Sequence, residues 1–308
     1  MGQKTGRRRL KGLSKAAEAA VLKREVFGRL KLVRWLKILR ELARYDEAGD
    51  LQRARLKKTA VVSGVALVPL GILLAFLAGE EEPWFVSAVL GAAMLTAAIL
   101  LIYCLVRNKR LTNLDLANDF RKVLIPFLTA IREDVPSKDK IKLKLDLAGP
   151  TDSKAIRKGA PTHRDGKKIQ ETVYSDSWCH LEASLVTGSR ITLDISNLYT
   201  RRKVTSKNPR GKYKLKVKWK KLVVARAGMS PDMERYAFDP VAVERKAGEG
   251  ELKLKKRVEG PSAALKMKRK FKSAGSPPSE SIQPKEILGM FLRLESLMRP
   301  VSTGGQNT

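Results

Sequence analysis

The chain has 308 residues, with 62 Lys+Arg against 31 Asp+Glu and a formal net charge of +31 at pH 7. That imbalance excludes an ordinary near-neutral globule and points to polyanionic surroundings or partners. Yet residues 59–79 and 83–106 carry no charged side chain, so the composition averages two different materials.

Residues 1–58 form a basic arm of net charge +12. Its start, Lys4 to Lys11, is a solvated cationic run. From Ser14 to Tyr45 the pattern is helical: Leu22, Val26, Leu30, Val33 and Leu36 share one side, with Lys23, Arg24, Lys31, Arg34, Lys37 and Arg40 around them. One amphipathic helix is expected, lying on an anionic membrane surface or docked on the rest of the cytoplasmic part.

About twenty apolar residues, rising 1.5 Å each, cross a hydrocarbon core of about 30 Å. Residues 59–79 and 83–106 both qualify and read as two transmembrane helices. The first begins too far from Met1, and is too long, for a cleaved signal peptide. The link between them, 80–82, is three glutamates, so the helices are expected to be antiparallel neighbours. The arm carries 18 Lys+Arg and residues 107–308 carry 44. The positive-inside rule therefore predicts a two-pass protein with both termini cytoplasmic and an external acidic tip. A bacterial inner membrane is the expected host. Small residues four apart, such as Ala60 and Gly64 or Ser87 and Gly91, let helices approach closely. They serve the hairpin itself or a homo-oligomer. No intramembrane acid, base or amide is present, which argues against a proton relay or carrier.

Residues 107–135 read as an amphipathic connecting helix. Leu116, Phe120, Val123, Leu124, Phe127, Leu128, Ile131 and Val135 form its stripe, with Pro126 as a kink. From Lys140 the apolar period becomes two: Ile141, Leu143, Leu145 and Leu147 alternate with lysines. Residues 151–171 read as a polar loop. Residues 178–185 and 190–198 read as a hairpin turning at 186–189, and 212–220 as a further strand followed by apolar 222–225. A weaker hairpin is expected over 241–246 and 252–258. Together 140–258 predict a small antiparallel β-rich domain, barrel-like or sandwich-like, in an α+β integral membrane protein. Residues 259–283 read as a mobile tether. Residues 284–299 read as a C-terminal helix started by Pro284.

Nucleotide-loop, dinucleotide, zinc-protease and serine-hydrolase signatures are lacking. Cys179 and His180 are adjacent, but neighbours in a strand point to opposite faces, with Trp178 and His180 sharing one. No catalytic pair, metal site or cofactor is expected, nor does the distance of Cys104 from Cys179 in sequence suit a zinc site. The positive signal is cationic striping. Lys140, Lys142 and Lys144 share one strand face; Lys212, Lys214, Lys216, Lys218 and Lys220 share another; Arg201, Arg202, Lys203 and Arg210 crowd the loop before it. Lys253 and Lys255, then Lys266, Lys268 and Lys270, repeat the pattern. Such faces attract anionic lipid head groups, a nucleic acid, or only water. Lysine predominance and a 6% aromatic content weaken the nucleic-acid reading. The expected function is a non-catalytic membrane-anchored scaffold or adaptor presenting its β domain to the lipid bilayer or an acidic partner. The alternatives are an oligomeric pore and a membrane-tethered nucleic-acid-binding protein.

Overall fold

The computed structural model describes residues 12–77, 84–112, 115–149, 155–164, 166–207, 210–239, 241–244, 265–273 and 282–301. The basic run at 4–11, the acidic link, most of the 241–258 hairpin and Lys253 and Lys255 lie outside them. Two units are recognised, one of residues 1–41 with 117–308, the other of 42–116.

The second unit contains most of α2 (Leu32–Leu77) and α3 (Trp84–Thr112). Both are long and apolar enough to cross a membrane. Their apolar side chains stand outward; Phe76, for example, is 75% exposed. A Cβ added at Gly64, Gly71 or Gly91 would meet no neighbour within 4 Å, so these small residues do not serve close packing within the chain. Arg53 and Asp115 close the unit at its charged end with a 2.6 Å ion pair, and Arg53 also bonds Asp50. The hydrogen bond that Arg53 donates to Asp115 outweighs partial burial and raises the Arg53 pKa further above its ordinary value.

The first unit is a single open antiparallel sheet with helices on one face. Its strands are β1 (Glu25–Lys31), β2 (Lys140–Asp146), β3 (Ala155–Lys158), β4 (Thr162–Arg164), β5 (Lys167–Ser184), β6 (Arg190–Lys207), β7 (Tyr213–Ser230) and β9 (Leu265–Ser273). The order is β1-β2-β5-β6-β7-β9, with β3 and β4 also paired to β5. β8 (Tyr236–Phe238) pairs separately with β10 (Met298–Pro300). Among the described residues the sheet does not close on itself and no second large sheet faces it, in place of the expected barrel or sandwich. The helices supply the second layer instead. Every stripe residue from Phe120 to Val135 is buried, as are Ile287, Met290, Phe291 and Leu294 of α5 (Pro284–Glu295), and the rings of Phe127 and Phe291 stack at 5.7 Å. Beneath them lie Ile141, Leu143, Leu145, Leu181, Leu193, Ile195, Ala225 and Ala227. The α5 start is fixed by a capping box between Gln283 and Glu286.

Several elements differ from the sequence reading, each for a physical reason. The helix expected over 14–45 is broken. α1 (Lys15–Lys23) ends at Arg24, whose φ of 53° turns the chain left-handed, and β1 follows. Val26 and Leu30 lie four apart, a spacing shared by helical and alternating patterns; Gly28 and cross-strand pairing with β2 decide for the strand. The connecting helix is also broken. α3 ends at Thr112, then a π-helical turn, Phe120–Leu124, leads into α4 (Ile125–Ala130). Pro126 has no N–H for the carbonyl four residues back, and the turn widens so that Ile125 N donates to Phe120 O. The tether at 259–283 contains β9, because Leu265 and Met267 alternate into the core beside β7. The loop at 151–171 contains β3, β4 and the start of β5. Residues 241–244 are helical rather than extended.

Candidate anion-binding groove

β5, β6 and β7 are each 18 residues long, and β6 pairs with β7 without a slip from Arg190↔Ser230 to Lys207↔Tyr213. Directly opposed residues share a face. The half near Ile191, Leu193 and Ile195 covers the helical core. The half from Tyr199 to Lys207 runs beyond these residues, and its two faces differ.

One face gathers cations. Arg202 is opposite Lys218, Val204 opposite Lys216, and Ile169 of β5 opposite Val204. With Arg164, Lys167 and Ser206 these five line a groove of about 350 Å³. Five of its eight lining residues are cationic and none is acidic. Glu171 stands beside it, 3.5 Å from Arg202 Nε and half exposed. The opposite face carries the aromatics. The Arg201 guanidinium lies 5.3 Å from the Tyr174 ring and 5.8 Å from that of Trp219. Farther along, Tyr213 is 75% and Leu215 60% exposed.

The structure thus divides the predicted anion-binding residues. Arg202, Lys216 and Lys218 line the groove. Lys214 and Lys220 are exposed on the same strand face, and Lys212 and Arg210 are exposed just before it. Arg201 and Lys203 belong to the opposite face, because consecutive residues of β6 alternate. Lys140, Lys142 and Lys144 occupy the groove's face of the sheet but on β2, away from it. Lys142 binds Glu182 at 2.8 Å and Lys144 reaches Glu25 at 3.8 Å, so that stripe is partly neutralised. Arg164, Lys167, Ile169, Val204 and Ser206 were not foreseen. The alternation Lys167-x-Ile169 and Val204-x-Ser206 was the available signal.

A β-bulge between Ser177 and Cys179 resets the alternation of β5. Trp178 and Cys179 are consequently both buried, and His180 faces the polar side, correcting the expectation that Trp178 and His180 share a face. Burial, with Asp194 nearby, pushes the Cys179 thiol well above its ordinary pKa. The thiol is therefore a poor nucleophile. Among the described residues no group of three or more His, Cys, Asp or Glu is arranged to hold a metal ion.

His180 Nδ1 lies 2.6 Å from Asp194 Oδ1, and Nε2 lies 2.9 Å from Glu182 Oε1. Only the doubly protonated ring donates to both carboxylates. Partial burial lowers its pKa, but the hydrogen bonds to Asp194 and Glu182 outweigh that and raise it above 6.5. The Lys142 ammonium, then His180, holds Glu182 below its ordinary range. A raised histidine pKa gives stabilisation that is complete below 6.5 and lost as pH rises through the raised value. The melting temperature of the detergent-solubilised protein is expected to fall across that window, and His180→Gln to remove this part of the fall. An unchanged profile in the variant contradicts the assignment.

No protein-family model matches the chain, and no match is found among the curated proteins or the solved structures.

Proposed function

We propose that the protein is a non-catalytic membrane-anchored adaptor whose sheet holds an anionic ligand, with anionic lipid head groups as the nearest source. The observation that carries this reading is the groove, with Arg164, Lys167, Arg202, Lys216 and Lys218 around it and no carboxylate among its described lining residues. A cationic concavity concentrates anions. The anchor is α2 and α3, whose outward apolar side chains suit lipid. The Arg53–Asp115 ion pair supports a two-pass arrangement, since it joins the residues that flank the two apolar segments on the outside. Both flanks then lie on one side, and the Lys/Arg excess makes that side cytoplasmic. The aromatic rings of Tyr174 and Trp219 face away from the groove, which disfavours a nucleic-acid reading.

The test uses the full chain in phosphatidylcholine nanodiscs. Co-flotation with phosphatidylglycerol-containing vesicles is expected at low salt and lost at high salt. Indifference to vesicle charge overturns the ligand. In sealed proteoliposomes, single cysteines introduced at Gly12 and Val301 are expected to react with an impermeant maleimide from the same side of the membrane. Labelling from opposite sides overturns the topology.

A further inference from the structure

Resting on this anion-binding reading, we propose that the groove takes clustered phosphate groups, either a free diphosphate or triphosphate or the head of a multiply phosphorylated lipid, and reads no bases.

Three observations carry it. The first is the spacing of the cations. Neighbouring strands lie about 4.8 Å apart, and alternate residues on one strand about 6.7 Å apart. Arg202 and Lys218 are directly opposed, with Lys216 two residues further along β7. Lys167 and Arg164 approach from β5 and β4, where they are also directly opposed. Cations so spaced contact neighbouring phosphates rather than crowd round one. Arg202 adds a planar fork that matches two phosphate oxygens.

The second is charge. Glu171, 3.5 Å from Arg202 Nε, offsets part of the groove's charge, yet a single phosphate monoester at about −2 does not match even the three lysines Lys167, Lys216 and Lys218. Adjacent phosphates match them.

The third is shape and lining. About 350 Å³ is near the small end of ligand pockets and accommodates a head group rather than a duplex. The lining between the cations is Ile169 and Val204, with the Ser206 hydroxyl as an added donor. No aromatic ring lines it, so an exposed base has no surface on which to stack.

The experiment titrates the full chain in phosphatidylcholine nanodiscs with sodium tripolyphosphate and with orthophosphate by calorimetry. A second arm incorporates phosphatidylinositol bisphosphate into the nanodisc and follows the melting temperature. Tripolyphosphate is expected to bind at least about tenfold more tightly than orthophosphate. The double variant R202Q/K216Q is expected to lose about tenfold or more in tripolyphosphate affinity. K268Q/K270Q, which removes the same charge from exposed positions of β9, is expected to lose less than about twofold. Unliganded R202Q/K216Q should melt close to the parent, because both side chains are at least partly exposed. A response to free tripolyphosphate supports a soluble ligand; one to the bisphosphorylated lipid alone supports a head group, and both support the proposal. Equal losses in the two double variants, orthophosphate binding as tightly, or a thymidine oligonucleotide displacing tripolyphosphate through Trp219 overturn it. If phosphatidylglycerol flotation persists without a tripolyphosphate preference, the phosphate assignment fails and the adaptor reading stands. If both binding signals are missing, both fail.

Discussion

Lys221→Ala is expected to destabilise the sheet unit by about 3–5 kcal/mol, far more than any change to the lysines flanking it. Lys221 is 5% exposed, and its Nζ lies 2.8 and 2.9 Å from the two carboxylate oxygens of Asp119. Asp119 stands just before the π-helical turn and also accepts from Asn197 Nδ2 at 2.7 Å. The ion pair therefore ties the helical layer to β6 and β7. Nearby, burial and then the charges of Asp119 and Asp176 push the Tyr199 hydroxyl above its ordinary pKa, so the phenol stays neutral. Removing the lysine leaves a largely buried carboxylate facing these groups without its cation. Replacing both partners by similar-sized uncharged side chains, D119N/K221M, should regain most of the loss, because the cost lies in the orphaned charge rather than in the missing pair. Denaturant unfolding of the detergent-solubilised protein measures both. A Lys221→Ala variant within about 1 kcal/mol of the parent contradicts this account.

Lys221 also marks where sequence reading fails. Lys220 and Lys221 are neighbours of one type, but β7 is continuous through both, so one points outward and the other under the sheet. With the strand read as ending at Lys220, nothing distinguished them. Long amphipathic signals fared better. The buried stripe from Phe120 to Leu128 and the α5 face were legible because their apolar spacing fits a helix and no strand, although the helix ends at Ala130 rather than at Val135. The β2 alternation was legible for the converse reason. β1 and β9 were not, since short segments with two or three apolar residues acquire their structure from partners distant in sequence. The groove was half legible. Striping located the lysines of β7, but which other cations join them depends on the pairing of β4, β5 and β6, and the alternation that separates Arg201 from Arg202 requires knowing that both are in a strand.

The same dependence on distant partners governs the N-terminal arm. Trp35 is 1% exposed, and its Nε1 donates to Ile141 O at 3.0 Å across 106 residues of sequence. It joins the start of α2 to β2, while β1 covers the other edge of β2 over seven paired residues. Trp35→Ala is expected to cost about 3–5 kcal/mol, and Trp35→Phe, which keeps most of the buried area but loses the donor, about 1 kcal/mol. Fragment 111–308 lacks both Trp35 and β1. It exposes the β2 edge and the apolar faces of Leu143 and Leu145, and is expected to aggregate rather than fold. Adding residues 12–41 as a separate peptide should restore a cooperative melting transition, since strand pairing and the tryptophan contact need no covalent link to β2. A fragment 111–308 that is monomeric and melts cooperatively by itself would show instead that the arm merely decorates the sheet. The arm would then be free to lie on a membrane surface, as its basic amphipathic sequence first implies.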